Sequence, residues 1–308
     1  MITQIPTSND FENIGLECLI KSIEMLYSIS TSLQEINDQL EEESIEWADF
    51  WKYHHVNLRA SLILAYQGVE YLMKSRISMR SSLLLIQNNP TTWPSFPNSE
   101  NKSFEQLQTI SGEQLIRVFY AVTEKEFFDT DFESDFEKLR IKRNKLVHSA
   151  SAAKLTVKYI LKTSIKFIDY YFGQYSWRTR LFDQIEENPT FDLFDAEFER
   201  AYNFQVLNFL KRELGKGQLN SFIELNIKSR KYYCPSCTYD LSKYDSHSNE
   251  SKWAFLDPNQ SSSTSIMCLA CSRKFDVKRD DCKGSDCKGN VINDTYDAPI
   301  CLTCYCEQ

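Results

Sequence analysis

Four pairs of cysteines near the C-terminus constrain this chain more than any other feature. Cys234 and Cys237 form a Cys-x-x-Cys pair, and Cys268 and Cys271 form another after thirty intervening residues. A second set joins Cys282 and Cys287, with four residues between them, to Cys301 and Cys304, with two between them. Each pair can present two thiolates to one ion, and two pairs complete a tetrahedral site, so eight ligands predict two structural Zn²⁺ ions. Sequential pairing, first pair with second and third with fourth, is favoured over a cross-brace because ribbon folds close on consecutive knuckles. Four ligands per ion leave no open coordination position, which argues against a catalytic metal. Cys306 is a ninth thiol beside the last pair, able to exchange with a ligand. His247 is not needed once eight thiolates are assigned.

Such dense pairing is read as metal binding in a reducing compartment. The N-terminus lacks the basic and apolar regions of a signal peptide, and no apolar run reaches membrane-spanning length, so a cytoplasmic protein without a membrane partner is expected. The tenth cysteine, Cys18, falls among apolar positions and reads as a small buried hydrophobe.

The remainder of the 308 residues is helical in pattern. Apolar positions near helical spacing predict a helix over 8–40 and a longer one over 44–87. Within the second, Glu70 and Lys74 form an i,i+4 pair, and His54 and His55 lack a third partner that would make them a site. A proline-rich loop over 88–98 ends that helix, and Ser111 starts another with capping chemistry. A helix over 151–172 follows. Residues 175–214 read as a looser, aromatic-rich helical connector packed on the first domain, including Phe191, Phe194 and Phe198. Strand-like alternation begins at Ser221. The expected fold is therefore mainly α: a helical bundle over 1–175, a helical connector over 176–220, and a small β-rich double zinc-binding module over 221–308.

Charge singles out one stretch of the bundle. From Lys138 to Ile168 there are nine lysines or arginines and no carboxylate, whereas Asp129, Asp131, Glu133, Asp135 and Glu137 immediately precede it. The chain as a whole carries a formal charge of −8, so any nucleic acid must be held by a local patch. Arg143, Asn144 and His148 lie within this window. The imidazole titrates near neutral pH, and the guanidinium suits phosphoryl oxygens. Lys154, Lys158, Lys162 and Lys166 recur every fourth residue, lining one ridge of the next helix. With Lys142 and Lys145 they are candidate contacts to an RNA backbone, although charge runs usually form a solvated face. Between Cys234 and Gln308 eight basic residues face eleven acidic ones, which favours protein docking over a nucleic-acid role for the zinc module.

The Arg143-Asn144-x-x-x-His148 motif, set after several helices, resembles the Arg-x4-6-His signature of HEPN-superfamily ribonucleases, with Asn144 as the polar residue after the arginine. The resemblance covers residues 1–175, and the segments around Glu70 and over 110–115 also look like HEPN helices. It implies metal-independent RNA cleavage, in which the 2′-hydroxyl attacks the adjacent phosphorus and leaves a 2′,3′-cyclic phosphate and a 5′-hydroxyl. His148 would move the proton and Arg143 would hold the phosphoryl oxygens. On a regular helix Asn144 and His148 share a face, whereas Arg143 lies about 140° from His148. One histidine does not readily serve as both acid and base, and the family's solution is a homodimer with a composite site. Phage defence or a toxin role, with a regulatory protein partner, is the biology implied. A non-catalytic HEPN adaptor and a zinc-ribbon regulator are the alternatives. In the bland reading, His148 caps a helix and Arg143 pairs with the acidic run.

Overall fold

The computed structural model describes the chain except residues 40–45, 88–89, 96–99, 124–129, 149–154, 187–195, 243–250 and 295–297. Asp129, Lys154, Phe191, Phe194 and His247 lie outside the described residues. The described residues divide into two compact units, Met1–Trp177 and Arg178–Gln308.

The first unit is helical. Helices α1 (Ser8–Gln39) and α3 (His55–Ser78) pack along their lengths and bury Leu19, Ile23, Leu26, Leu62, Val69 and Leu72. They cross where Gly15 meets Gly68. A Cβ on Gly68 would lie 2.7 Å from the Gly15 carbonyl oxygen, so the absence of side chains sets the interhelical distance. Helix α6 (Val157–Phe172) completes this core, with Ser164 Oγ 3.3 Å from Ser22 Oγ and Tyr171 donating to Ser75 Oγ at 2.8 Å. Helices α4 (Gly112–Val122) and α5 (Thr130–His148) close the bundle, α5 through Phe132, Phe136, Leu139 and Leu146. Strands β1 (Ile2–Thr3) and β2 (Lys102–Ser103) form a short parallel pair.

Several expected boundaries move. The single helix over 44–87 is two, α2 (Trp47–Tyr53) and α3, separated at His54, whose φ of −87° and ψ of 24° leave the helical region. No glycine or proline marks this break. It accompanies the burial of Phe50, whose ring packs 4.3 Å from that of His54. Helix α3 then stops at Ser78. Ser81 accepts from the Leu83 amide and starts a separate 3₁₀ turn over Ser82–Leu85. The helix expected from 151 begins at Val157, where the Thr156 side chain accepts from the Tyr159 amide. Ile14 and Ile36, apolar residues at helical spacing within α1, are exposed.

The second unit carries α7 (Ser176–Glu186, with the unit boundary in its first turn), α8 (Ala196–Leu214), α9 (Lys216–Asn220) and α10 (Pro235–Ser242). Three antiparallel strands follow, β3 (Ala254–Leu256), β4 (Ser265–Cys268) and β5 (Lys274–Asp276), then the pair β6 (Ile292–Asn293) and β7 (Ile300–Cys301). The segment expected as a connector joins the cysteine region: Asn203 donates to Ala270 O at 3.0 Å and Trp253 Nε1 to Asn208 Oδ1 at 3.0 Å. Its aromatics Phe204 and Phe209 are buried core. Residues 221–228 form turns, not a strand, because Asn226 caps its own turn from both its carbonyl and its side chain.

Candidate active site and metal centres

The motif occupies the last turns of α5. Leu139 and Leu146 point into the bundle, Arg143 and Asn144 are half-buried, and His148, the final helical residue, is exposed. Arg143 Nη1 donates to Asn144 Oδ1 at 3.1 Å, so the amide engages the guanidinium and not the imidazole. The guanidinium carbon lies 5.1 Å from the centroid of the Tyr66 ring, and Arg143 Nε is buried without a hydrogen-bond partner.

Among the described residues the acidic run does not neutralise Arg143. Asp135 takes Lys166 at 2.6 Å and Lys138 at 3.4 Å, and Glu137 holds Arg140 through two hydrogen bonds of 2.7 Å. Burial raises the Asp135 pKa, but these lysines outweigh it and hold the carboxyl below its ordinary value. Helix geometry explains the sorting. The positions three and four residues from Arg143 are Arg140, Leu139, Leu146 and Val147, none of which can supply a carboxylate.

Two α3 residues that the sequence does not single out support the motif. Arg59 donates from Nη2 to the Leu146 carbonyl, one of the last carbonyls of α5, which have no partner within the helix. Tyr66 underlies Arg143 and donates to Glu70 Oε1 at 2.8 Å. Burial and the Glu70 carboxylate hold the Tyr66 phenol protonated, well above its usual range. Glu70 is buried and also accepts from the Gly112 amide at 3.1 Å. It therefore caps α4, a task the sequence assigns to Ser111, whose side chain makes no capping bond. The expected Glu70–Lys74 pair is not a hydrogen-bonded one: Lys74 lies over the Tyr71 ring at 5.4 Å.

The lysine ridge is divided. Lys166 belongs to Asp135, and Lys142 sits 3.9 Å over the Tyr159 ring, its pKa lowered by burial and by Lys145. Lys145, Lys158 and Lys162 are exposed.

The cysteines fall into two groups, Cys234, Cys237, Cys268 and Cys271, and Cys282, Cys287, Cys301 and Cys304. This is the sequential arrangement. A tetrahedral ion with sulfur at about 2.3 Å requires sulfur–sulfur edges of about 3.8 Å. The observed edges are 3.7 Å (Cys234–Cys271), 3.9 Å (Cys237–Cys268), 3.7 Å (Cys282–Cys304) and 3.9 Å (Cys287–Cys301). Backbone amides turn onto three sulfurs, Ala270 onto Cys268, Gly284 onto Cys282 and Gly289 onto Cys287, at 3.3–3.4 Å. Ser272 and Tyr305, directly after the second cysteine of their knuckles, adopt φ of 56° and 66°. Among the described residues these two groups alone can hold a metal; His54 and His55 join none, and Cys306 is exposed outside both.

Each group has a cation supplied from outside its knuckles. Arg178, 8% exposed, donates to Leu269 O at 2.9 Å and Ser272 Oγ at 2.6 Å beside the first group. Burial lowers its pKa, opposed by Glu224, Cys268 and Cys271. Lys252 donates to Thr303 O at 2.9 Å beside the second group and lies 4.4 Å over the Tyr233 ring. Four thiolates leave a divalent ion with a net charge of −2, which these cations offset.

No family model, curated protein or solved structure matches the chain. Among the described residues no helix is long and apolar enough to cross a membrane.

Proposed function

We propose that the chain is a metal-independent endoribonuclease of the HEPN kind. The observation that carries this reading is Arg143, a half-buried guanidinium with no carboxylate partner among the described residues, five residues along the same helix from the exposed His148. A phosphodiester offers the guanidinium the acceptor oxygens that α5 withholds.

In the reaction, His148 of one protomer takes the 2′-hydroxyl proton as the 2′-oxygen bonds to phosphorus. The bond from phosphorus to the 5′-oxygen breaks, and His148 of a second copy returns a proton to the departing oxygen. The products are a 2′,3′-cyclic phosphate and a 5′-hydroxyl. Arg143 holds the non-bridging oxygens as charge develops, with Tyr66 and Asn144 fixing its plane. The site is a homodimer's, and its RNA is guided by Lys145, Lys158 and Lys162. Two zinc ions fill the cysteine groups and hold the second unit together. Phage defence or a toxin role, with activity held by a regulatory partner, is the biology this chemistry suits.

RNA cleavage by the purified protein in EDTA tests the reading, with His148→Ala and Arg143→Ala as comparisons. Each is expected to lose about 10²–10⁴-fold in rate. Product ends should carry 2′,3′-cyclic phosphate. Equal rates in all three proteins would refute the assignment, and no cleavage of any RNA would favour the adaptor.

A further inference from the structure

The second unit carries a cationic surface that its overall charge conceals. Lys216 reaches across from α9, its Nζ 3.5 Å from the Lys228 carbonyl. Two residues on, Arg230 donates from Nη1 to the Lys288 carbonyl at 3.3 Å. These contacts set the Lys216 side chain against the Lys228 backbone and the Arg230 side chain against the Lys288 backbone, and all four residues are exposed. Three of the four precede Cys234, so a charge count from Cys234 onward misses them. None makes an ion pair among the described residues. Asp286, the carboxylate nearest Lys288 in sequence, binds none of them. Unpaired cations at an exposed surface contrast with Lys274 and Lys278 nearby in the chain, which are tied to Asp257 and Asp294.

The second metal group does not account for them. Its excess negative charge is met by Lys252, which sits against the Thr303 carbonyl within that knuckle and feels Cys304, Cys287 and Cys301. Arg230 lies close enough to Lys252 to oppose its charge and lower its pKa. Exposed cations on neighbouring backbone segments, without ion-pair partners among the described residues, have a use when a polyanion supplies the counter-charge. Among the described residues the neighbouring aromatics Tyr232, Tyr233 and Trp253 are buried, which points to contact with phosphates and not to stacked bases.

We propose that Lys216, Lys228, Arg230 and Lys288 form a binding surface for the phosphate backbone of a nucleic acid. This surface stands apart from the helical unit's motif and does not depend on cleavage there. The test is fluorescence anisotropy of labelled oligo(U) and oligo(dT) against the full chain, carrying His148→Ala throughout to prevent cutting, across a salt series. Replacing Lys228→Gln and Arg230→Gln together removes two contacts. The slope of log affinity against log salt should become shallower by about 1.4, equivalent to roughly 25-fold weaker binding at 0.1 M salt with the difference vanishing towards 1 M. A Lys274→Gln/Lys278→Gln control should leave the slope unchanged. The Lys228/Arg230 variant must retain two metal ions and its melting temperature, and Lys216→Gln/Lys288→Gln serves as an independent second pair. A shallower slope on oligo(U) alone assigns the surface to RNA, and on both strands to either backbone. Unchanged slopes in both patch variants, or no binding by the parent chain, would overturn the proposal.

Discussion

Adding one methyl group to Gly289 should release one metal ion and spare the other. A Cβ there would lie 2.7 Å from both Thr303 Cβ and Thr303 Oγ1, and 2.8 Å from Cys301 Sγ. Ordinary carbon contacts sit near 3.5–4.0 Å, so the overlap approaches an ångström. The atoms it strikes belong to the Cys301–Cys304 knuckle, and one is a ligand sulfur. Relief therefore requires the knuckle to move away from Cys282 and Cys287. Overpacking of this kind costs about 1–3 kcal/mol, which corresponds to about 5- to 150-fold weaker metal binding at the second group. Gly284 provides the control within the same loop. Its Cβ would meet Cys282 Sγ at 3.4 Å and Cys287 Cβ at 3.7 Å, contacts near the ordinary range, so Gly284→Ala should change affinity by no more than about twofold. Competition with a chromophoric zinc chelator resolves the result. Wild type should release two ions, Gly289→Ala should lose one at lower chelator, and the first group should be untouched. Equal behaviour of the two alanine variants would refute the steric argument.

Arg178→Met removes the buried cation beside the first group and leaves Leu269 O and Ser272 Oγ without their donor. The first ion should then be the one released early in the same titration, and unaltered release would show that Arg178 does not support the site. Arg59→Met frees the last carbonyls of α5, so RNA cleavage should fall at least about tenfold with partial rescue by added guanidinium; a wild-type rate would dismiss Arg59 as a positioning residue. Asp169, whose pKa burial raises to about 6, should give stability below pH 3.8 that is lost as pH rises through 6. The melting temperature of wild type relative to Asp169→Asn should accordingly decline between pH 4 and pH 7, and a constant difference would contradict the burial argument. Arg143→Met should abolish cleavage without lowering the melting temperature, because no carboxylate partner is lost; a large destabilisation would mark Arg143 as a structural residue.

The metal groups were legible because ligand chemistry is local: two thiolates spaced by a turn are already half a site before any folding occurs. The span of α1 was equally plain from its periodicity. What escaped were features decided by partners remote in sequence. Glu70 reads as half of an i,i+4 pair with Lys74 until Gly112 arrives to bond it. Ser111 reads as a cap until Glu70 displaces it. Lys166 continues a ridge by spacing, yet Asp135 ties it up in an ion pair. The break at His54 has no breaker residue, since it follows from the burial of Phe50. Arg59 carries no motif, because its role exists only where α3 meets the end of α5.

The charge blocks around residue 140 show how local geometry and function connect. A run of alternating acids followed by bases would, in an extended chain, pair indiscriminately. On a helix the partners are fixed at three and four residues, so Asp135 reaches Lys138 and Glu137 reaches Arg140. The same rule leaves Arg143 beyond the last carboxylate. Its neighbours on the helix are apolar or basic, and across the interface it meets the face of Tyr66 and not an acid. Leaving a half-buried guanidinium without a counter-charge is unfavourable for stability, and a glutamate at the exposed position 147 would have removed the deficit. The chain instead places valine there, and spends a tyrosine and an asparagine on fixing the plane of the group. An arrangement that sacrifices stability to orient a cation makes physical sense when an anion completes it.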